Sequence, residues 1–227
     1  MHSSQRIIVP TADGSHTISI PDQYLTYHSH HGAIQESRHV YLQAGLAPIL
    51  QSFPQQDIRV FELGFGTGLN AFLTALEADQ QQCSIHYTTL EPYPLTPSET
   101  RLLNYPEQLG HAPLFEALHA AEWDIDTILS PCFTLHKKMI TLQHYQPAAP
   151  VHLIYYDAFG PLTQPELWTE HAFRPLHDML VPGGSLVTYC SKSEVRRAMQ
   201  AAGLTVKKVP GPYGKRDMVI ATRATNL

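Results

Sequence analysis

The chain has 227 residues, of which 43% are apolar, 15% charged and 9% aromatic, the composition of one globular domain with a sizeable core. That excludes a disordered tail, a collagen and a disulfide scaffold, and the three cysteines (Cys83, Cys132, Cys190), far apart and without a CxxC pair, fit a reducing cytosol and no zinc clip. The net charge of −5 is unevenly spread: residues 1–191 carry seven Lys and Arg against eighteen Asp and Glu, a balance of −11. Residues 192–227 carry Lys192, Arg196, Arg197, Lys207, Lys208, Lys215, Arg216 and Arg223 against Glu194 and Asp217, a balance of +6. A basic end on an acidic body is either a phosphate-binding face or a solvated helix face with two strand ends.

Met1-His2-Ser3-Ser4-Gln5-Arg6 lacks the apolar core of a signal peptide, and no apolar run is long enough to span a bilayer, so a cytoplasmic protein that does not enter membranes is expected. Arg6-Ile7-Ile8-Val9 and His16-Thr17-Ile18-Ser19-Ile20, around an Asp13-Gly14 turn, predict a β-hairpin. Residues 34–50 are loosely helical, with Gly45 and Pro48 weakening the middle, and one or two helices are expected there. Beyond them, apolar runs at 58–63, 84–90, 132–136, 151–157, 185–190 and 204–209 alternate with helical spacing at 69–79, 97–120, 165–180 and 192–202. This alternation predicts an α/β fold with a mostly parallel sheet covered on both faces. The final run, 217–222, follows the tight Gly211-Pro212-Tyr213-Gly214 segment. It has no room for a crossover helix and is expected to pair antiparallel with the run before it, completing seven strands. Residues 1–50 form an N-terminal hairpin and helical extension of the same globule as the Rossmann-like domain at 51–227. The Pro-rich segments 92–97 and 147–150 are loops.

Between the first apolar run and its helix lies Glu62-Leu63-Gly64-Phe65-Gly66-Thr67-Gly68-Leu69-Asn70. Alternate glycines let the backbone approach a ligand, and the helix N-terminus offers unpaired N–H groups. The spacing is GxGxG, unlike the GxGxxG of dinucleotide enzymes, and the carboxylate of Glu62 suits a cationic α-amino group better than a pyrophosphate. Glu91, at the end of the next run and followed by Pro92, stands where a ribose-binding carboxylate belongs. The fourth run ends in Asp157-Ala158-Phe159-Gly160-Pro161. Asp157 is placed to accept a hydrogen bond from a nucleophilic amine and Phe159 to stack on a flat base; the bland reading is that Asp157 caps the following turn.

Glu62 to Asn70, Leu90-Glu91-Pro92-Tyr93-Pro94-Leu95, Asp157 to Pro161 with Pro165-Glu166-Leu167-Trp168, Pro182-Gly183-Gly184, Glu194-Val195-Arg196-Arg197, Ala202-Gly203 and Gly214-Lys215-Arg216-Asp217-Met218 occur in this order. Together with Gly32-Ala33-Ile34-Gln35-Glu36-Ser37-Arg38-His39-Val40-Tyr41, they resemble the methyltransferase domain of the bacterial tRNA 5-methylaminomethyl-2-thiouridine biosynthesis (MnmC-like) family. The resemblance implies a class I S-adenosylmethionine-dependent methyltransferase fold and N-methylation of 5-aminomethyl-2-thiouridine at the tRNA wobble position. It also implies S-adenosylmethionine and tRNA as ligands, no metal, and a stand-alone form without flavin or the family's oxidase domain, so that a separate oxidase acts upstream.

Carried over, the glycine loop (Gly64, Phe65, Gly66, Thr67, Gly68 and Asn70) holds the methionine part, Glu91 with Pro92 the ribose, and Asp157 with Phe159 the target amine and base. The family often has an acid contacting adenine after its third strand; this chain offers Thr141 near that position, so backbone groups or Thr141 serve instead. Tyr27 and Glu36 are candidates to close over the pocket, and Lys192, Arg196, Arg197, Lys215 and Arg216 to hold tRNA phosphates. His28, His30, His31 and His39 match no zinc spacing and are assigned to a loop, while Trp123 and Trp168 are read as packing residues. The competing readings are a methyltransferase of this fold acting on another amine or a small molecule, an aminopropyltransferase, an NAD-dependent oxidoreductase and a non-catalytic RNA-binding module.

Overall fold

In the computed structural model, which describes residues 5–225, the alternating apolar runs become one large sheet and the N-terminal segment a small one. Residues 1–4, part of the start weighed above as a signal peptide, lie outside the described residues. The expected N-terminal hairpin is present, β1 (Ile7–Pro10) pairing antiparallel with β2 (His16–Ile20), and the two-residue β3 (Leu25–Thr26) extends it to a three-stranded antiparallel sheet. The third strand is too short to leave an alternating pattern in the sequence.

The expected helical stretch forms, and it stays helical through Gly45 and Pro48. Helix α1 (Ala33–Ser37) runs through a nine-residue π-helix, Arg38–Leu46, into α2 (Ala47–Ser52). Pro48 falls just past the junction of the π-helix with α2, and the backbone stays helical on both sides of it. Gly45 permits close packing, since a Cβ there would lie 3.0 Å from the Val187 side chain.

The large sheet has eight strands, one more than the sequence predicts. They are β4 (Ile58–Leu63), β5 (Ile85–Leu90), β6 (Asp126–Ser130), β7 (Phe133–Lys138), β8 (Val151–Tyr156), β9 (Leu180–Thr188), β10 (Thr205–Pro210) and β11 (Asp217–Thr222), in the order β10-β11-β9-β8-β4-β5-β7-β6. The extra strand, β6, pairs antiparallel with β7 through a bulge between Ile128 and Ser130. It is a polar-flanked edge strand with Ile128 exposed, so no strong apolar run announces it. As expected, β11 pairs antiparallel with β10, and also with β9. Strand β9 begins at Leu180, earlier than its predicted start at 185, because Pro182-Gly183-Gly184 lies within the strand.

Position in the sheet explains each strand's composition. Central β8 is buried at all six residues, as expected for a parallel strand covered on both faces, whereas the antiparallel edge strand β10 has four exposed residues and none buried. One core cluster joins the β2 side chain of Ile18, the 33–52 helical run and α3 (Leu69–Gln81) to one face of the sheet. The other packs α7 (Glu170–Met179) and α8 (Ser193–Ala201) on the opposite face. The predicted helical stretch 97–120 is three short helices, α4 (Pro97–Thr100), α5 (Tyr105–Leu109) and α6 (Ala112–Ala120). Pro97, Pro106 and Pro113 each sit in a first helical turn, and Gly110 at positive φ ends α5. The carboxyl ends of β4, β5, β7 and β8 open at the point where strand order reverses, the crevice in which ligands of such sheets bind.

Candidate functional site

A cavity of about 1250 Å³ occupies this crevice. Its floor is the glycine loop after β4. Gly64, Gly66 and Gly68 have φ of 96°, 50° and 73°, and space as well as conformation restricts all three. A Cβ on Gly64 would meet the Asp157 carbonyl at 3.0 Å, and one on Gly66 would meet the Tyr27 ring at 3.1 Å. The N–H groups of Gly64 and Phe65 donate to the Leu90 carbonyl at 3.0 and 3.2 Å, which ties the loop to the end of β5. From that end Glu91 accepts the N–H of Gly66 through Oε2 at 3.0 Å and that of Tyr93 through Oε1 at 2.9 Å. Burial pushes its carboxyl upward, against the pull of those two backbone donors.

The loop is also braced from below. Lys137 of β7 is 1% exposed and donates to the carbonyls of Leu118 and His119, at 3.0 and 2.9 Å, at the end of α6. Its ammonium lies over the Trp123 ring at 4.8 Å. Burial lowers His119 to about 4, so at neutral pH it carries one ring proton, and the Nε2 contact to the Thr67 carbonyl at 3.1 Å assigns that proton to Nε2.

Glu62 does not line the cavity, which corrects the expectation that its carboxylate meets a cation there. It is fully buried; Oε1 accepts from Asn70 Nδ2 at 3.1 Å and Oε2 from the Thr89 hydroxyl at 2.7 Å. Burial pushes it up to about 8, so at neutral pH it holds a proton. Asn70, in the first turn of α3, lines the cavity and also donates to Asp157 Oδ2 at 2.9 Å.

Asp157 follows β8, its N–H donating to the Leu63 carbonyl at 3.1 Å. Burial first, then the charge of Glu36, raise its carboxyl to about 6 against the donors Tyr41 and Asn70 and the Lys215 ammonium. Phe159 is fixed at both backbone ends: its N–H donates to Gln164 Oε1 at 2.9 Å and its carbonyl accepts Trp168 Nε1–H at 2.8 Å. The Tyr27 ring stands edge-on to Phe159 at 5.3 Å. Glu36 accepts the Ser29 N–H and pairs with Lys215, whose ammonium lies 4.0 Å over the Tyr189 ring. The N-terminal extension and the β10–β11 turn thus meet across the cavity.

Of the residues singled out in the sequence, the cavity gathers Tyr27, Glu36, Gly64, Phe65, Gly66, Thr67, Asn70, Glu91, Pro92, Thr141, Asp157, Phe159 and Lys215. Gly68 lies beneath it against His119. Lys192, Arg196, Arg197 and Arg216 stand outside the lining, at the start of α8 and in the turn before β11. The basic tract does not form one face: Arg223 donates to the carbonyls of Asp178 and Leu180 at the opposite end of the sheet, and Lys208 pairs with Asp217 at 2.6 Å. The Thr141 hydroxyl contacts His144 Nδ1 at 2.9 Å.

His28, His30 and His31 lie in the loop between β3 and α1 as expected, whereas His39 does not. His28 is buried against Thr17, His30 and His31 line the cavity, and His39 lies in the π-helix and contacts the Pro210 carbonyl at 3.0 Å. Among the described residues no group of His, Cys, Asp and Glu is placed to hold a metal. Sequence reasoning missed Tyr41, Tyr189, Gln164 and Arg6. Tyr41 and Trp168 fall inside quoted segments, yet spacing alone gave no reason to aim them at the site.

Residues 132–224 match a family described as S-adenosyl-L-methionine-dependent methyltransferase. The tRNA 5-methylaminomethyl-2-thiouridine biosynthesis bifunctional protein MnmC of Aeromonas salmonicida is 32% identical over 222 residues, covering 87% of this chain and 32% of that protein. The MnmC of Cupriavidus necator is 31% identical over 208 residues, covering 86% and 31%. The chain therefore spans about a third of the length of the curated relatives it matches. Among solved structures, MNMC2 from Aquifex aeolicus superposes with a TM-score of 0.79 at 24% identity, over 99% of this chain and 72% of that one. Spermidine synthase from Thermotoga maritima shares the fold at a TM-score of 0.61 and 13% identity, over 97% and 70%.

Proposed function

We infer from the family match, the curated relatives and the fold that this chain is an S-adenosyl-L-methionine-dependent methyltransferase related to the MnmC proteins, and from that premise we propose its reaction. It methylates the primary amine of 5-aminomethyl-2-thiouridine at the tRNA wobble position, giving 5-methylaminomethyl-2-thiouridine. The observation that carries the reading is the convergence of Asp157 and Phe159 on the glycine-loop crevice, in a chain about 30% identical to proteins named for that nucleoside.

The crevice fits the cofactor. The glycine loop and Glu91 line the cavity together, and Asn70 Oδ1 is a buried acceptor without a protein partner. We assign the methionine part to Gly64, Phe65, Gly66, Thr67 and Asn70, with Gly68 and Glu62 supporting the loop and Asn70 from behind. Glu91 takes the ribose hydroxyls, and the adenine lies near Pro92, Thr141 and Leu142. When bound, S-adenosylmethionine supplies an electrophilic methyl group on a sulfonium. The residues supply alignment and a dry site: Asp157 accepts an N–H of the amine, orients its lone pair and relays the proton that nitrogen must lose, while Phe159 stacks on the base. Tyr27 and Glu36 close the N-terminal side. Lys192, Arg196, Arg197, Lys215 and Arg216 receive tRNA phosphates, so binding weakens as salt rises.

In this reading residues 1–50 and 51–227 work as one globule. The protein acts in the cytoplasm, and a separate oxidase supplies the aminomethyl precursor. Among the described residues no helix is long and apolar enough to cross a membrane.

The test is methyl transfer from labelled S-adenosylmethionine to tRNA lacking the final modification, with nucleoside analysis and an Asp157→Ala control. Label is expected in 5-methylaminomethyl-2-thiouridine, falling by roughly 10²–10⁴ in the control. Cofactor binding without label in that nucleoside rejects the substrate.

A further inference from the structure

The π-helix that replaces an ordinary helix at 38–46 delivers one side chain to the site. Tyr41 is 1% exposed, its ring packs on Tyr155 at 5.0 Å, and its hydroxyl donates to Asp157 Oδ1 at 2.5 Å. Stretches of π-helix are rare and concentrate where a side chain must be re-aimed for function. This one is pressed onto the sheet, its Gly45 lying where a Cβ would meet Val187 at 3.0 Å and Tyr155 at 3.4 Å. The hydroxyl is therefore aimed at Asp157 by a fully packed ring.

We propose that Tyr41 is a positioning residue for the amine-accepting carboxylate: with Asn70 it clamps Asp157 between two neutral donors, one on each oxygen, and keeps it charged and turned toward the crevice. The arrangement has a chemical logic. A carboxylate offers about four lone-pair sites. Two are spent on Tyr41 and Asn70, and those left can accept an amine N–H. A cationic partner in direct contact would hold the carboxylate charged more strongly but compete with an amine for it, whereas a phenol does not. Burial and the Asp157 charge hold the Tyr41 hydroxyl well above its usual value of 10, so it stays a donor and takes no proton itself.

The other groups facing Asp157 are Glu36 from α1, Lys215 from the β10–β11 turn, Glu62 from β4, Tyr87 from β5 and Tyr189 after β9. Glu36 and Lys215 pair with each other, and Glu62 holds its proton at neutral pH. The Tyr189 hydroxyl donates to the Ala158 carbonyl at 2.8 Å. Tyr41 is thus the direct donor whose removal leaves the packing of the ring and every charge in place.

The inference rests on the amine-accepting role given to Asp157 above, and the experiment separates the two. Tyr41→Phe is compared with the wild-type chain by carbon NMR of labelled aspartate, with Asp157→Asn assigning the Asp157 signal. In parallel, kcat/KM for tRNA is followed from pH 5 to 9, and the thermal shift with S-adenosylmethionine serves as the folding control. The Asp157 midpoint, near 6 in the wild type, is expected to rise by about one pH unit in Tyr41→Phe, since a hydrogen bond to a charged group is worth about that much. The acidic limb of kcat/KM moves with it, so activity falls about fivefold at pH 6 and nearly tenfold at pH 5, and recovers above pH 8. An unmoved midpoint, or a loss of activity equal at every pH, overturns the proposal. A moved midpoint with an unmoved activity profile leaves Tyr41 as the clamp and removes Asp157 from the reaction.

Discussion

Glu62 is the buried carboxyl on which the local energetics turn, and Glu62→Gln isolates it. The wild-type group is fully buried, accepts from Asn70 and Thr89, and is pushed from 4.5 up to about 8 by desolvation. Between these two values the folded chain keeps a proton that the unfolded chain has released. The stability contributed by this group is therefore fully present below pH 4.5 and is lost as the pH rises through 8. At 1.36 kcal/mol per unit the full loss is about 5 kcal/mol. Gln mimics the protonated form, its amide oxygen accepting from Asn70 and its nitrogen facing the Thr89 hydroxyl, and it has no proton to lose. Urea unfolding of both proteins at pH 5.5 and pH 9 is the assay. The stability difference in favour of Glu62→Gln is expected to grow by roughly 3 kcal/mol across that interval, a divergence in urea midpoints of roughly 1–2 M. A difference that does not change with pH refutes the reasoning, because Glu62 would then not be carrying a proton in the folded chain.

Three further outcomes follow from the same geometry. Gly64→Ala places a Cβ 3.0 Å from the Asp157 carbonyl at φ 96°. It is expected to cost about 1–3 kcal/mol of stability and to shrink the thermal shift produced by S-adenosylmethionine, both read by melting with and without cofactor. Lys137→Met removes the donors to the Leu118 and His119 carbonyls, which costs about 2–4 kcal/mol and loosens His119 from the glycine loop. Because burial lowers that ammonium from 10.5 to about 8, the unfolded chain holds the proton between those values, and unfolding curves should show the wild type gaining on the Met variant as pH climbs through the window. Arg197→Ala and Arg216→Ala, at exposed cations, should each flatten the plot of log binding constant against log salt for tRNA by about one phosphate contact. Slopes equal to the wild type would place the tRNA elsewhere.

The parts of this protein legible from sequence are those fixed by local chemistry. The alternation of β-like and helical runs identified the parallel sheet, because buried strands must be apolar on both faces. The antiparallel β11 followed from a connection too short to cross over. That the glycine loop, Glu91, Asp157 and Phe159 meet at one crevice was readable because a strand's carboxyl end, a tight turn and a chemistry-bearing residue lie next to each other in the chain. Strand β6 and the two-residue β3 were not, since edge strands with polar flanks and very short strands owe their existence to a partner rather than to their own pattern.

Tertiary structure decided what those residues face. Glu62 and Asn70 both lie at the glycine loop, but only packing puts the carboxyl behind the amide, buries it and gives it a proton, while the amide reaches the cavity. Lys215 and Glu36, 179 positions apart in the chain, are paired because the N-terminal extension folds across the mouth of the crevice to meet the β10–β11 turn. Tyr41 reaches Asp157 across 116 positions only because a π-helix re-aims it. Sequence determines backbone preference and residue chemistry over a few neighbours; burial, and with it charge state and the direction of a side chain, belongs to contacts that the chain makes only once it is folded.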